Sequence, residues 1–261
     1  MSLFVYMILM SMFKVVSLIC LCIFPFSAFS CDLTVRFEKY GLQAQNDPEL
    51  GWHGLDVDFA KALLDKAGCT YRFVSAPWGR ALKMLEDGEL DLVLSVSDSP
   101  ERREFAYFIG PQRMETIVFA QHRNASVTLR ELNDLFHLRK PVAIQQGAFY
   151  GLPFSDALNR MSDPEPQFLF VADNKLKISL LQNQRISGFL EEKFNLIYQI
   201  ENNPDFVDVE VHPFIVNREP VYYAFSKASL SQGDLKRLEA AYQSLQQSGE
   251  LNGILKKYKL N

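Results

Sequence analysis

Apolar and polar positions change rhythm repeatedly along this chain, and the changes sort it into strands and helices. Residues 33–37 form a short apolar run that reads as a strand. A polar loop over 43–49 follows. Val57, Phe59, Ala60, Leu63 and Leu64 then recur at helical spacing, with Asp56 near the start and Gly68 as the stop. Residues 71–75 return to strand character, and a helix from Pro77 through Glu86 ends at Asp87-Gly88. The run over 90–94 is almost continuously apolar, as expected of a strand buried on both faces. Ser99, Pro100 and Glu101 supply a cap, a favoured first helical residue and a first-turn acid, predicting a short helix over 100–105. Strand, helix, strand, helix, strand is the order of a parallel sheet flanked by helices.

The second half repeats the theme without repeating the sequence. Residues 107–111 read as a loop or short strand, 116–120 as a strand and 121–126 as a polar gap. A short helix is expected over 129–135 and a strand over 141–144. Gly147 marks another passage from strand to helix. A strand over 168–171, a helix over 174–183 and a strand over 186–190 follow. Glu191 and Glu192 open a further helix, and 207–211 is strand-like, completing a second α/β unit. Residues 221–225 form a strand able to return the chain to the first unit. The tail, 230–245 and 249–260, reads as two amphipathic helices; Leu235, Leu238, Tyr242 and Leu245 make the apolar stripe of the first.

Composition adds a compartment. Apart from Lys14, residues 1–30 are apolar or small, and Ala28 and Ser30 stand where a signal peptidase reads, so a signal peptide cleaved near Ser30/Cys31 is expected. A membrane-spanning helix is the competing reading of that stretch. The chain of 261 residues carries a formal net charge of −4 and is 48% hydrophobic, enough for one large domain or two small lobes. No basic tract suggests nucleic acid. Beyond the leader only Cys31 and Cys69 remain, and they begin two similar strand patterns. If those strands pair in parallel, the cysteines lie in register, predicting a Cys31–Cys69 disulfide in an oxidising compartment. A lipid-modified Cys31 is the rival, with Ala28 standing where a branched aliphatic residue would be expected.

Catalytic signals are thin. His53, His122, His137 and His212 have no second ligand at metal-binding spacing, and no nucleophile elbow, P-loop or dinucleotide fingerprint occurs. Asp56 and Asp58 could open a calcium loop, but its twelfth position is Ala67, where a bidentate acid is needed. No metal or cofactor is expected. The suggestive stretch is 90–103, where a buried strand gives way to Ser95, Ser97, Asp98 and Ser99 with Arg102 on the next helical turn. Hydroxyls, backbone N–H groups and a guanidinium fork there can converge on one carboxylate. The plainer alternative is a surface ion pair of the arginine with Glu101 or Glu104.

Three pieces of the first unit carry a family resemblance: Gly54-Leu-Asp-Val-Asp-Phe-Ala-Lys-Ala-Leu63, Gly88-Glu-Leu-Asp-Leu92 and Ser97-Asp-Ser-Pro-Glu-Arg102. Lys140-Pro-Val-Ala-Ile-Gln-Gln-Gly147 and the tail from Leu245 to Tyr258 extend it. Together they resemble the bacterial periplasmic solute-binding proteins for polar amino acids, family 3. The resemblance implies a two-lobed α/β fold of the type II periplasmic-binding-protein kind. Each lobe would be a mostly parallel sheet flanked by helices, with two crossing strands joining them. Residues 31–118 and 222–261 would form one lobe and 119–221 the other. It also implies a periplasmic location, a small-molecule ligand bearing a carboxylate, a membrane permease of an ABC transporter as partner, and a monomer.

Roles follow position by position from the same resemblance. Arg102 falls where the family grips the substrate carboxylate, Ser97 where a hydroxyl assists, and Ser95 where a small residue offers backbone contacts. Trp78 stands where an apolar side chain lines the cleft, a core aromatic being the equal alternative, and Tyr40 or Glu38 lies near a first-strand contact. Arg80 is a further anion contact or a surface helix residue. Small hydroxyl residues usually follow the second-lobe glycine; here Ala148, Phe149 and Tyr150 do. The aspartate that usually meets the amino group is replaced by Glu192. Those departures point to an altered ligand, one with an aromatic or apolar part. Two competing functions remain: a periplasmic lyase of the cyclohexadienyl dehydratase kind with Glu192 as general acid, and a ligand-sensing module without transport.

Overall fold

The computed structural model describes residues 31–260 except residue 173; the expected leader, residues 1–30, lies outside the described residues. The chain runs β1 (Asp32–Phe37), β2 (Gln45–Asp47), β3 (Gly51–His53), α1 (Leu55–Ala67), β4 (Thr70–Ser75), α2 (Trp78–Asp87), β5 (Leu92–Ser97), α3 (Pro100–Arg103) and β6 (Ala106–His122). After a 3-10 turn (Leu132–His137) come β7 (Val142–Gln145), α4 (Leu152–Asn159), β8 (Phe168–Val171), α5 (Asn174–Gln182), β9 (Gly188–Glu192) and α6 (Lys193–Asn202). A second 3-10 turn (Pro204–Phe206), β10 (Val209–Ser226), α7 (Gln232–Ser248) and α8 (Glu250–Lys257) complete it.

Eight strands form one sheet in the order β4-β1-β5-β10-β6-β9-β7-β8, and β2, inside the stretch read as a polar loop, makes a separate hairpin with β3 just beyond it. β1 is parallel to β4 and β5, and β7 is parallel to β8 and β9. Between these parallel sets, β10 and β6 run antiparallel to each other and to their outer neighbours.

The near-continuous apolar runs have a direct cause. Successive strand residues face opposite sides, and both sides are covered. Leu92 and Leu94 of β5 pack with α1 and α7 residues such as Phe59, Leu63, Leu238 and Leu245, whereas Val93 and Val96 pack with Ala81 and Leu85 of α2. In the other half, Ile117 and Phe119 join Phe154, Phe168 and Leu190, while Val118 and Ala120 join Ile178, Phe189 and Leu196. The long strands contribute to both halves: Ile109, Tyr223 and Phe225 to one set of cores, Ile117 to Ala120 and Val209 to the other.

Those strands are where the expected elements change most. The loop or short strand at 107–111 and the strand at 116–120 are one strand of 17 residues, and the pieces at 207–211 and 221–225 belong to one of 18. Proline made both look broken, because it cannot donate to a ladder. Pairing nevertheless runs from Val209↔His122 to Ser226↔Ala106, with register shifts. Pro213 falls in the shift between Val211 and Ile215, where no regular ladder partner needs a donor at that position. The expected short helix over 129–135 is the later 3-10 turn instead.

The cysteine reading agrees with the structure. β1 and β4 pair with Asp32 opposite Thr70, so the residues before them meet, and Cys31 is bonded to Cys69 with Cα atoms 4.6 Å apart. Among the described residues no helix is long and apolar enough to cross a membrane.

Candidate functional site

The carboxyl ends of β1, β5, β7 and β9 converge on a cavity of about 100 Å³, the position where open α/β sheets bind ligands. All nine residues nominated from the sequence line it: Glu38, Tyr40, Trp78, Ser95, Ser97, Arg102, Phe149, Tyr150 and Glu192. Trp78 begins α2, Arg102 lies in α3, and Glu192 ends β9. Arg80 is absent from the cavity wall.

Arg102 owes its place to a well-formed helix start. The Ser99 hydroxyl accepts from Arg102 N at 3.3 Å, and Pro100 occupies the first turn. The side chain is 6% exposed. Its Nη1 donates to Ser97 O and its Nη2 to Gly147 O, each at 2.9 Å. The guanidinium carbon lies 5.9 Å from the Trp78 ring centre and 5.7 Å from that of Phe149, within cation–π range. Burial pulls its pKa down to about 10, against the opposing pull of Glu115 and Glu101, so at neutral pH it is a cation. Among the described residues it has no carboxylate ion-pair partner. The surface pair with Glu101 or Glu104 considered from the sequence is not formed among the described residues; the neighbouring Arg103 meets Asp98 at 2.6 Å.

Ser97 adds a hydroxyl that makes no hydrogen bond among the described residues. Ser95 differs from expectation. It adopts φ 54° in the middle of β5, an uncommon conformation for a residue with a side chain. Its N–H donates to Gln112 Oε1 at 2.8 Å and its hydroxyl to Asp56 Oδ1 at 2.9 Å. The backbone donor expected to face a ligand is thus already occupied.

The far wall is a set of buried charges. Lys177, 1% exposed, donates to Glu191 Oε2 at 3.1 Å and to Leu190 O at 3.0 Å, and Tyr40 donates its hydroxyl to the other Glu191 oxygen. Burial, then Glu191 and Glu192, hold the Tyr40 hydroxyl well above the usual tyrosine range. Glu192 caps α6: its Oε2 accepts from Asn195 N at 2.7 Å, and its Oε1 lies 3.5 Å from Arg113 Nη1. Burial raises its pKa against the pull of Arg113 and of that N–H. An amino-group ligand was expected at Glu192, yet both of its oxygens are engaged.

Glu115 stands apart. It lines the cavity, its nearest cation is Arg113 Nη2 at 3.6 Å, and it accepts no hydrogen bond among the described residues. Burial, reinforced by Glu192 and Asp56 and opposed by Arg113, pushes it up to about 8. Burial likewise raises Asp56, against Arg113, the Ser95 hydroxyl and Arg36. Arg113 is itself held above its ordinary value, because Glu192, Glu115 and Asp56 outweigh its burial.

Arg36, Asp56, Arg113, Glu115, Lys177 and Glu191 did not emerge from sequence reasoning. The overlooked signal was alternation: Arg113, Glu115 and Ile117 share one face at a period of two, inside a segment that read as a break. Tyr150 lies mostly in the second core, its ring against Phe154 and its oxygen accepting from Gln145 N at 2.9 Å.

Contacts bridge the cavity's two sides. Besides Arg102, Trp78 Nε1 donates to Gly147 O at 3.1 Å; Gln45 Nε2 reaches the Tyr198 hydroxyl at 2.9 Å and Gln43 Nε2 reaches Glu192 Oε2 at 3.5 Å. Gly147 adopts φ 76°, and a Cβ there would lie 3.3 Å from Gly79 Cα.

Two sets of helix-covered strands, two long crossing strands and a charged cavity at the strand ends define a binding protein of the type II periplasmic class. The chain belongs to the bacterial extracellular solute-binding proteins, family 3, whose model matches residues 36–261. No curated protein matches it. Among solved structures, an ancestral arginine-binding protein bound to glutamine is 18% identical, covers 87% of this chain and 97% of its own, with TM-score 0.72. A histidine kinase sensor domain with similarity to periplasmic binding proteins is 17% identical, covering 88% and 96%, with TM-score 0.74. An ancestral amino acid-binding protein, a precursor of cyclohexadienyl dehydratase, is 19% identical, covering 87% and 94%, with TM-score 0.68. Likeness at these identities establishes the fold.

Proposed function

We propose that this solute-binding protein works in the periplasm, captures a small carboxylate-bearing solute such as an amino acid between its lobes, and passes it to an ABC-type permease. Residues 31–118 with 222–261 make one lobe and 119–221 the other, and β6 and β10 are the crossing strands. Arg102 carries the reading: a desolvated guanidinium held only by two carbonyls gains most from a full negative charge. The free Ser97 hydroxyl lies beside it, and Trp78 and Phe149 shield it from water. Neighbours named for arginine, glutamine and amino-acid binding agree with this solute class.

Thermal-shift screening against amino acids and related carboxylates tests it, because a ligand bound only by the folded state raises the melting temperature. Arg102→Ala is expected to weaken the stabilising carboxylate by about 2–5 kcal/mol, which removes its shift. A ligand that binds the variant as well as the wild type rules out the role of Arg102.

The lyase alternative asked Glu192 to act as general acid, and the engagement of both its oxygens argues against that assignment. Incubation with prephenate or arogenate separates the readings: product formation favours the lyase, and its absence leaves binding. A sensory role without transport has the same cleft and differs only in the membrane partner.

A further inference from the structure

The charges around the cavity nearly cancel in pairs, and the remainder is informative. Glu38 is bonded to Arg36, Glu191 to Lys177 and Tyr40, and Glu192 to the α6 backbone and Arg113. Asp56 accepts from the Ser95 hydroxyl. Among the described residues, two charged groups that line the cavity are left short of partners: Arg102 has carbonyl oxygens but no ion-paired carboxylate, and Glu115 has one cation at 3.6 Å and no hydrogen bond. Both line the same cavity; they are too far apart for an ion pair, yet each contributes to the other's electrostatic field.

We propose that Glu115, on the crossing strand β6, receives the cationic group of a zwitterionic ligand whose carboxylate is held by Arg102. This rests on the carboxylate reading above and moves the amino-group contact from the end of β9 to the middle of the sheet. A zwitterion satisfies both deficits at once, whereas a simple carboxylate leaves the partly buried Glu115, 17% exposed at its side chain, without a donor from the ligand. The groups facing Glu115 are Arg113 on its own strand, Asp56 of α1, Arg102 of α3 and Glu192 of β9. Glu115 titrates near 8, so below that pH the empty cleft holds its carboxyl protonated. An ammonium placed beside it favours the carboxylate, and the displaced proton passes to solvent.

The probes are the proteinogenic L-amino acids and their des-amino counterparts, in which hydrogen replaces the ammonium. Titration calorimetry at pH 7 in two buffers of different ionisation enthalpy reads affinity and proton release together. The wild type is expected to bind its amino acid at least about tenfold more tightly than the des-amino acid and to release a fraction of a proton on binding. Glu115→Gln is expected to abolish that preference by weakening the amino acid alone, and to end the proton release; Glu192→Gln is expected to keep the preference. If des-amino acids bind the wild type equally well, or Glu115→Gln keeps the preference, this proposal fails while the carboxylate reading stands. If neither kind of probe binds, this proposal fails, and the carboxylate reading is decided by the wider screen of related carboxylates. Should the Gln variant not fold, wild-type binding of an amino acid without proton release overturns the proposal by itself.

Discussion

At the scale of single residues, the chain places a partly buried acid where its charge is costly. The pKa of Glu115 rises from an ordinary 4.5 to about 8. Between those values the folded chain keeps a proton that the unfolded chain has released, so stability from this group is present at low pH and lost as pH rises through 8. Glu115→Gln removes that dependence. Without ligand, the variant is expected to gain on the wild type by a few kcal/mol at most as pH rises from about 5 to 8, as read by denaturant unfolding at both pH values. Parallel stability profiles would show that Glu115 ionises normally. The helix start that positions Arg102 was legible in the sequence because Ser99, Pro100 and Glu101 announce it by local chemistry; the role proposed for the arginine came from the family resemblance. Glu115 was not legible, since its burial depends on strands far away in the chain.

At the scale of elements, the α5–β9 pair shows how a buried ion pair ties a helix to the cleft wall. Lys177 and Glu191 are 2% and 6% exposed at their side chains. Lys177→Met leaves the Glu191 carboxylate without its cation in the interior and is expected to cost about 3–5 kcal/mol in urea denaturation. The double change with Glu191→Leu is expected to recover much of the loss; a double variant as unstable as the single would show that the pair is not the cause. The helix over 174–183 was expected from the sequence, but nothing in it singled out Lys177 as a buried position. The parallel strands β1, β4, β5, β7 and β8 were visible as apolar runs. β6 and β10 were not visible as continuous strands, because proline suppresses the local signal and only their mutual pairing restores it.

At the scale of the whole molecule, the proposed capture between lobes makes binding strength depend on how closely the two sides of the cavity approach. Gly41, at φ 50°, faces α6 so tightly that an added Cβ would run into Asn195 Oδ1. Gly41→Ala is expected to weaken the ligand found by screening about tenfold or more, while the ligand-free melting temperature falls by only a few degrees. Unchanged affinity would mean that this approach plays no part in binding. The cavity's location followed from strand order and local motifs; its distribution of charge did not, because that is set by which buried acids meet which bases.

The Gly147 carbonyl has a wider consequence. It accepts from Arg102 and from Trp78 together, and so competes with any anion for the same donors. If Arg102 grips the ligand as proposed, capture there is an exchange reaction. A hydroxyl or amide oxygen trades one neutral acceptor for another and gains little, whereas a carboxylate replaces a dipole with a full charge. On the proposed role of Arg102, the cleft is expected to discriminate against neutral solutes through a contact made by its own backbone.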